Sequence, residues 1–234
     1  MQSSKNAPLA GISLLRDLSE NALITLSNCC HWQNYKPNEQ VLDKHSDTHD
    51  VYFIIQGRAR VVNYSITGRE VSFDDREAGD YFGELSALDS EPRSANVVAL
   101  EAMTVARLSQ EGFNQLLIDH PKVTVKLLKG LAKIVRISNN RIMDLSTLGA
   151  NNRVHAEILR LAKPGIGNDN IARVSPFPFH GDIASRVSTT RETVNRVFSD
   201  LSRKGIVKRS KNDLVVLDVN RLTKMIEHVR GVGD

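Results

Sequence analysis

Residues Phe82–Ala99 read FGELSALDSEPRSANVVA, and this stretch organises the interpretation of the chain. It opens with an apolar residue, a glycine and an acid, passes through enough residues for a short helical turn, and ends in a strand-like alternation. A helix beginning at Gly83–Glu84 points free N–H groups at whatever lies before it, and phosphate is the usual guest of such an end. Arg93 adds a full positive charge and a planar fork of donors for phosphate oxygens. Glu84 cannot bind a phosphate. If both residues face one ligand, that ligand needs a hydroxyl for the carboxylate and an anion for the guanidinium, and a ribose cyclic phosphate has both.

Working outward, 234 residues allow one large domain or two ordinary ones. Charge divides unevenly along them: residues 1–150 carry 16 Lys and Arg against 18 Asp and Glu, and residues 151–234 carry 15 against 9. A basic C-terminal third points to a polyanionic partner for that part alone. No apolar run reaches the ~20 residues that span a bilayer, and the first residues lack a charged-then-apolar signal pattern, so the expected location is cytoplasmic. Cys29 and Cys30 are the only cysteines, too few for a disulfide framework or an iron–sulfur cluster, and read as reduced thiols in or beside the core.

Ahead of the decisive stretch, Leu14–Leu26 has helical spacing, with Ser19-Glu20 as a helix start. Short β-rich runs then alternate with turn residues: VYFII before Gln56-Gly57, ARVVNYSI before Thr67-Gly68, EVSF before Ala78-Gly79-Asp80, and later ANVVAL and TVARL. That rhythm predicts a small antiparallel β-barrel or sandwich. His45, His49 and Asp50 invite comparison with a cupin-like metal enzyme. The histidine separation of four belongs to a helix while the segment reads as a polar loop, so a metal site is not expected.

From Pro121 to about Leu148 the pattern is helical, a length of ~42 Å at ~1.5 Å per residue. Leu128, Leu131, Val135, Ser138, Ile142 and Leu145 recur at separations of 3, 4, 3, 4 and 3, which is a coiled-coil seam. A second copy of the same helix is the natural partner, predicting a homodimer. Gly149–Arg153 reads as a hinge, followed by a helix to Ala162, a Pro- and Gly-containing loop and a strand near Ile171.

In HGDIASRVSTTRETVNRVFSDLSRKGIV, Ile183, Ala184 and Val187 form the inner face of one short helix, and Val194, Val197 and Leu201 that of the next. Ser188-Thr189-Thr190 between them can cap the second helix, giving a helix-turn-helix. Many such turns have Gly where this chain has Ser188. Thr190, Arg191, Glu192, Asn195 and Arg196 lie at the front of the second helix; an arginine there can take guanine O6 and N7 together, and Glu192 can accept from cytosine N4. Downstream, GIVKRS, Lys211-Asn212-Asp213 and LVVL read as a two-stranded wing, with Lys208, Arg209 and Lys211 as phosphate contacts.

These motifs carry a family resemblance over nearly the whole chain. Gly83, Glu84, Leu85, Ser86, Arg93, Ser94 and Ala95 resemble the phosphate-binding cassette of cyclic-nucleotide-binding domains, and Thr190–Arg196 resembles the recognition helix of the Crp/Fnr family. The resemblance implies an α+β architecture with three parts. They are a cyclic-nucleotide-binding β-barrel with an N-terminal helix over residues 1–120, a dimerisation helix over 121–149, and a winged helix-turn-helix over 150–234.

It further implies that Glu84 holds the ribose 2′-hydroxyl and that Arg93 and Ser94 hold the cyclic phosphate. In the cyclic-AMP receptor branch a hydroxyl pair on the long helix meets the adenine, one residue from each subunit. The matching residues here are Ser138 and Asn139, and the change of the second to an amide leaves base selectivity open between cyclic AMP and cyclic GMP. The implied function is a cyclic-nucleotide-dependent transcription regulator with the nucleotide as allosteric ligand and no catalytic cofactor. Its implied partners are a second copy of the chain, an inverted-repeat double-stranded operator and RNA polymerase. A Crp/Fnr regulator with another effector, or none, is the alternative. An enzyme is disfavoured by the lack of a P-loop, a nucleophile elbow or a metal set.

Overall fold

A computed structural model describes residues 8–66, 68, 70–167, 169–210 and 212–230. The chain divides into two compact units, 1–134 and 135–234, with the boundary inside the long helix.

The first unit begins with 3₁₀ turns at Pro8–Gly11 and Ser13–Leu15, followed by α1 (Glu20–Asn28). Ser19 is extended (φ −67°, ψ 157°) and its hydroxyl accepts from the Ala22 N–H, so the helix starts there and does not run back to Leu14. Eight strands follow: β1 (His31–Tyr35), β2 (Gln40–Leu42), β3 (Val51–Gln56), β4 (Arg58–Tyr64), β5 (Glu70–Glu77), β6 (Tyr81–Phe82), β7 (Asn96–Ala99) and β8 (Met103–Leu108). They form two four-stranded antiparallel sheets, ordered β1-β8-β3-β6 and β2-β7-β4-β5, the sandwich member of the barrel-or-sandwich pair that the strand rhythm predicts. Among the described residues neither sheet hydrogen-bonds its edges to the other, so the resemblance's barrel takes the form of a jelly-roll sandwich rather than a closed barrel.

The run VYFII shows how the sandwich is filled. Alternate side chains of a strand face opposite sides. Val51 and Phe53 accordingly join a cluster with Phe113, Val123 and Leu127, while Tyr52 and Ile54 join another with Val97, Ala99 and Val105. Because both faces of β3 are covered, it has no polar face to alternate with. The helical side of this core comes from α1, α3 (Gln110–Asp119) and the start of α4 (Pro121–Thr147). A short helix, α2 (Glu84–Asp89), lies between β6 and β7.

The second unit contains the end of α4, α5 (Ala150–Ala162), β9 (Ala172–Val174), α6 (His180–Arg186), α7 (Arg191–Arg203), β10 (Val207–Ser210), β11 (Asp213–Val216) and α8 (Val219–Arg230). The strands make a sheet ordered β10-β11-β9 beside the helix-turn-helix. Ile158, Ile183, Val194, Leu201, Ile206, Leu214 and Leu222 fill one core. Its last helix, α8, has no counterpart among the sequence expectations.

At Gly149, where the sequence predicts a hinge, only Leu148 and Gly149 separate α4 from α5. Leu148 is buried, and its carbonyl accepts from Arg153 Nη1 at 3.0 Å. Further ties cross the same joint. Glu157 of α5, only 1% exposed, faces Arg141 of α4 at 3.9 Å and Arg186 of α6 at 3.6 Å, and also pairs with Arg160. Arg160 in turn reaches Asp144 of α4 at 2.9 Å. Several arginines around one buried carboxylate keep that charge compensated, and removing the carboxylate would leave them facing each other. The end of α4 is therefore fastened to the helix-turn-helix, and the Gly149 joint is a clasp rather than a loose linker.

Candidate functional site

The first site forms where β6 runs into α2. Gly83 has φ +87°, and a Cβ there would lie 2.7 Å from the Asp50 carbonyl oxygen and 2.9 Å from Arg93 Nη1. Both the backbone angle and the space require glycine. The Arg93 guanidinium occupies that space. Nη1 donates to the Gly83 carbonyl at 3.0 Å, and Nη2 to the Asp50 carbonyl at 3.0 Å and the Thr48 hydroxyl at 3.2 Å. Arg93 is 3% exposed, its Nε has no partner, and among the described residues it forms no ion pair with a carboxylate. Burial lowers its pKa, opposed by Tyr52, Asp50 and Glu84.

Glu84, the first residue of α2, is 7% exposed. Burial raises its carboxyl pKa, while its own backbone N–H, Arg76 and Arg93 pull the other way. The neighbouring Tyr81 hydroxyl is pushed up to about 12 by burial and by Glu84. The site thus holds a buried acid at the start of α2 and a buried cation nine residues on, each short of a full partner.

The remaining cassette residues divide by role. Ala95 is buried, Leu85 and Ser94 are exposed, and the Ser94 carbonyl accepts from Asn63 Nδ2 at 3.2 Å. Ser86 is buried, and its hydroxyl donates to the Glu91 carbonyl at 2.7 Å and meets His49 Nδ1 at 2.5 Å. With the Ser86 proton spent on Glu91, His49 is the donor in that contact. Ser86 and His49 therefore brace the loop that delivers Arg93. Ser138 and Asn139 are exposed on α4, in the unit that begins at Val135.

The second site is the exposed face of α7. Thr190 is its N-cap, accepting from the Thr193 N–H at 3.3 Å, and Val194, Val197, Phe198 and Leu201 are buried. Arg191, Glu192, Asn195 and Arg196 remain exposed on the other face. Glu192 has a lowered pKa from its own backbone N–H and the Thr190 hydroxyl at the helix start. Lys208 and Arg209 are exposed on β10, and Lys211 lies outside the described residues. Ser188 takes φ +52° in the turn. Two supporting residues had no sequence signal: Arg153, whose contacts to residues 34 and 35 positions away depend on the fold, and His180, which touches Asn195 and Arg209.

Comparison with known proteins matches a domain family to each of the two regions. Residues 32–120 match the cyclic nucleotide-binding domain, and residues 152–225 match the Crp-like helix-turn-helix domain. The cyclic AMP receptor protein of Thermus thermophilus is 32% identical over 158 residues, covering 68% of this chain and 70% of that protein. The chain belongs to the Crp/Fnr family of transcription regulators. This Crp/Fnr regulator is also 24% identical over 217 residues to a CRP-like cAMP-activated global transcriptional regulator of Mycobacterium tuberculosis, covering 92% of this chain and 97% of that one. Among solved structures, a mutant of CooA from Carboxydothermus hydrogenoformans has a TM-score of 0.77 at 20% identity, covering 86% of this chain and 90% of that one. The last likeness concerns the fold alone. As a member of this family the protein is a DNA-binding regulator and not an enzyme, and no helix among its described residues is long and apolar enough to cross a membrane.

Proposed function

We propose that this Crp/Fnr regulator is a cytoplasmic, cyclic-AMP-responsive homodimer that binds inverted-repeat operators. The supporting observation is Arg93, a buried guanidinium whose Nε has no partner and which pairs with no carboxylate among the described residues. Burying an uncompensated charge is costly, and an anion delivered by a ligand offsets that cost. In this reading the cyclic phosphate lies against Arg93, Ser94 and the N–H groups of the cassette, from Gly83 to Ser86 and at Ala95, and a ribose hydroxyl donates to the Glu84 carboxylate. A ligand without both groups leaves one of the two buried charges unmet.

Base selection falls to Ser138 and Asn139 through the resemblance to the cyclic-AMP receptor branch. Asn139 can donate and accept, so cyclic GMP is a second ligand with weaker discrimination than a hydroxyl pair would give. On α4 the seam residues Leu128, Val135, Ile142 and Leu145 are exposed in the single chain, as a helix awaiting a second copy would leave them. In the dimer, two α7 helices enter successive major grooves of an operator whose half-sites are ~34 Å apart. Arg191 and Glu192 read bases, while Thr190, Lys208, Arg209 and Lys211 contact phosphates. RNA polymerase is the partner through which promoter occupancy becomes regulation.

Isothermal titration of the full chain with cyclic AMP, cyclic GMP and 5′-AMP tests the pocket. Arg93→Ala should cost about 2–4 kcal/mol of cyclic AMP binding, and unchanged affinity in that variant would remove the assignment. Binding of a different effector with no heat from either cyclic nucleotide would place the protein with the family's other effector classes.

A further inference from the structure

His180, the first residue of α6, stands between the recognition helix and the wing. Its ring stacks on Phe198 (centroids 4.7 Å apart, planes at 15°), and Phe198 is itself held edge-on by Phe177 at 5.4 Å. This fixes where both ring nitrogens point. Nε2 meets Arg209 Nη1 at 3.2 Å, and Nδ1 meets Oδ1 of Asn195. A guanidinium has donors only, so Nε2 must present its lone pair to Arg209. In a neutral imidazole the hydrogen then resides on Nδ1, and the Asn195 carboxamide must turn its oxygen toward it. Arg209 on the wing thereby sets the tautomer of His180, and His180 sets the orientation of Asn195.

The consequence lies at the DNA-facing surface. Asn195 is exposed, one turn after Arg191 on the same helix face, and its two amide hydrogens have no partner among the described residues. Asparagine reads adenine with both ends, its oxygen accepting from N6–H and its nitrogen donating to N7. The imidazole takes one lone pair of that oxygen and holds the carboxamide in one orientation, while the amide hydrogens are unspent. We infer that the His180–Arg209 pair commits Asn195 to donating, so that each recognition helix favours guanine, whose O6 and N7 both accept, or thymine (O4) over adenine, which sets its N6–H donor beside N7, at the position Asn195 faces. His180 is a positioning residue in this scheme, acting through Asn195. The inference rests on the proposed DNA-reading role of α7.

The test uses the full-length protein with cyclic AMP and a library of operators randomised in each half-site. Asn195→Ala identifies the base pair that Asn195 faces, as the one position where discrimination is lost. At that position wild type should prefer guanine or thymine. His180→Ala releases the oxygen and should raise the adenine-to-guanine affinity ratio by about fivefold or more. Arg209→Ala, a change at an exposed wing residue that leaves the core intact, frees Nε2, lets the ring exchange tautomers, and should shift the ratio in the same direction whatever it does to total affinity. The ring ¹⁵N shifts of His180 should report the Nδ1–H tautomer in wild type and a mixture in Arg209→Ala. A wild-type preference for adenine would overturn the inference, and so would a ratio unmoved in both variants, even if total affinity fell. A wild-type protein with no base preference at any position would instead remove the DNA-reading role of α7, and this inference with it.

Discussion

The carbonyl oxygen of Ser188 accepts from Arg153 Nη2 at 3.1 Å, and the same guanidinium holds the Val187 and Leu148 carbonyls at 2.8 and 3.0 Å. One side chain from the first turn of α5 thus fixes the end of α4 and the turn of the helix-turn-helix together. It also explains how a serine is kept at φ +52°, where a side chain costs roughly 1–2 kcal/mol.

Replacing Ser188 by Gly should relieve that cost, less the extra entropy glycine brings to the unfolded chain, for a net gain of about 0.5–1 kcal/mol. Arg153→Ala should act oppositely and cost about 1–3 kcal/mol by leaving carbonyls unsatisfied. Urea unfolding of the two variants against wild type checks both signs. A destabilising Ser188→Gly would mean that the serine side chain, not the backbone angle, matters in the turn.

Glu84 gives a pH-dependent prediction. Burial raises its folded-state pKa above the unfolded value, so the native state binds more protons in the window between the two. Its contribution to stability therefore falls as pH rises from the ordinary glutamate value, ~4.3, through the raised one, and the ionised group is a net cost at neutral pH. In nucleotide-free protein, Glu84→Gln should raise the melting temperature at pH 7, with the advantage shrinking toward pH 4, while weakening cyclic AMP binding by about 1.5–3 kcal/mol through loss of a charged acceptor. Melting curves at several pH values, paired with titration calorimetry, separate the two effects. Equal melting temperatures at pH 7 would show that the buried carboxylate is better compensated than its neighbours indicate.

The α4 seam predicts a dimer that one charge can break. Ile142 is 59% exposed in the single chain and lies one turn from Ser138 and Leu145. Ile142→Asp should place two like charges across the seam and weaken self-association by at least about tenfold. Sedimentation velocity should show monomer replacing dimer at micromolar concentration. A wild-type protein that sediments as a monomer would remove the seam from the account.

Much of this architecture was legible because its determinants are local. VYFII, ANVVAL and TVARL declare strands, Ser19 and Thr190 cap helices through their own hydroxyls, and Pro121 opens α4 where its missing N–H costs nothing. Gly83 could be singled out because it opens a helix in the run FGEL, and the left-handed turn and the approach of Arg93 give the structural reason why no side chain fits there. What the residues did not announce depends on contacts distant in sequence. The strand pairing that decides for a sandwich over a barrel is one case, and the strands HWQNY and QVL, whose exposed or mixed faces blur the period, are another. The same holds for Ser86, whose hydroxyl braces the Glu91 loop, and for the charges around Glu157. Gly149 read as a hinge because glycine breaks a helical pattern. The ties across it come from Arg153 and Glu157 and have no counterpart in local sequence.

In the proposed function a cyclic nucleotide in the first unit controls DNA binding by the second. If so, nucleotide and operator must tighten each other's binding by the same factor. The direct measurement is fluorescence anisotropy of a labelled inverted-repeat operator titrated with wild-type protein, with and without saturating cyclic AMP, alongside Arg93→Ala. Operator affinity should rise by about 5–150-fold with the nucleotide in wild type, and not at all in Arg93→Ala at the same nucleotide concentration. Equal operator affinities for wild type with and without cyclic AMP would contradict it, even if the nucleotide and the DNA each proved to bind.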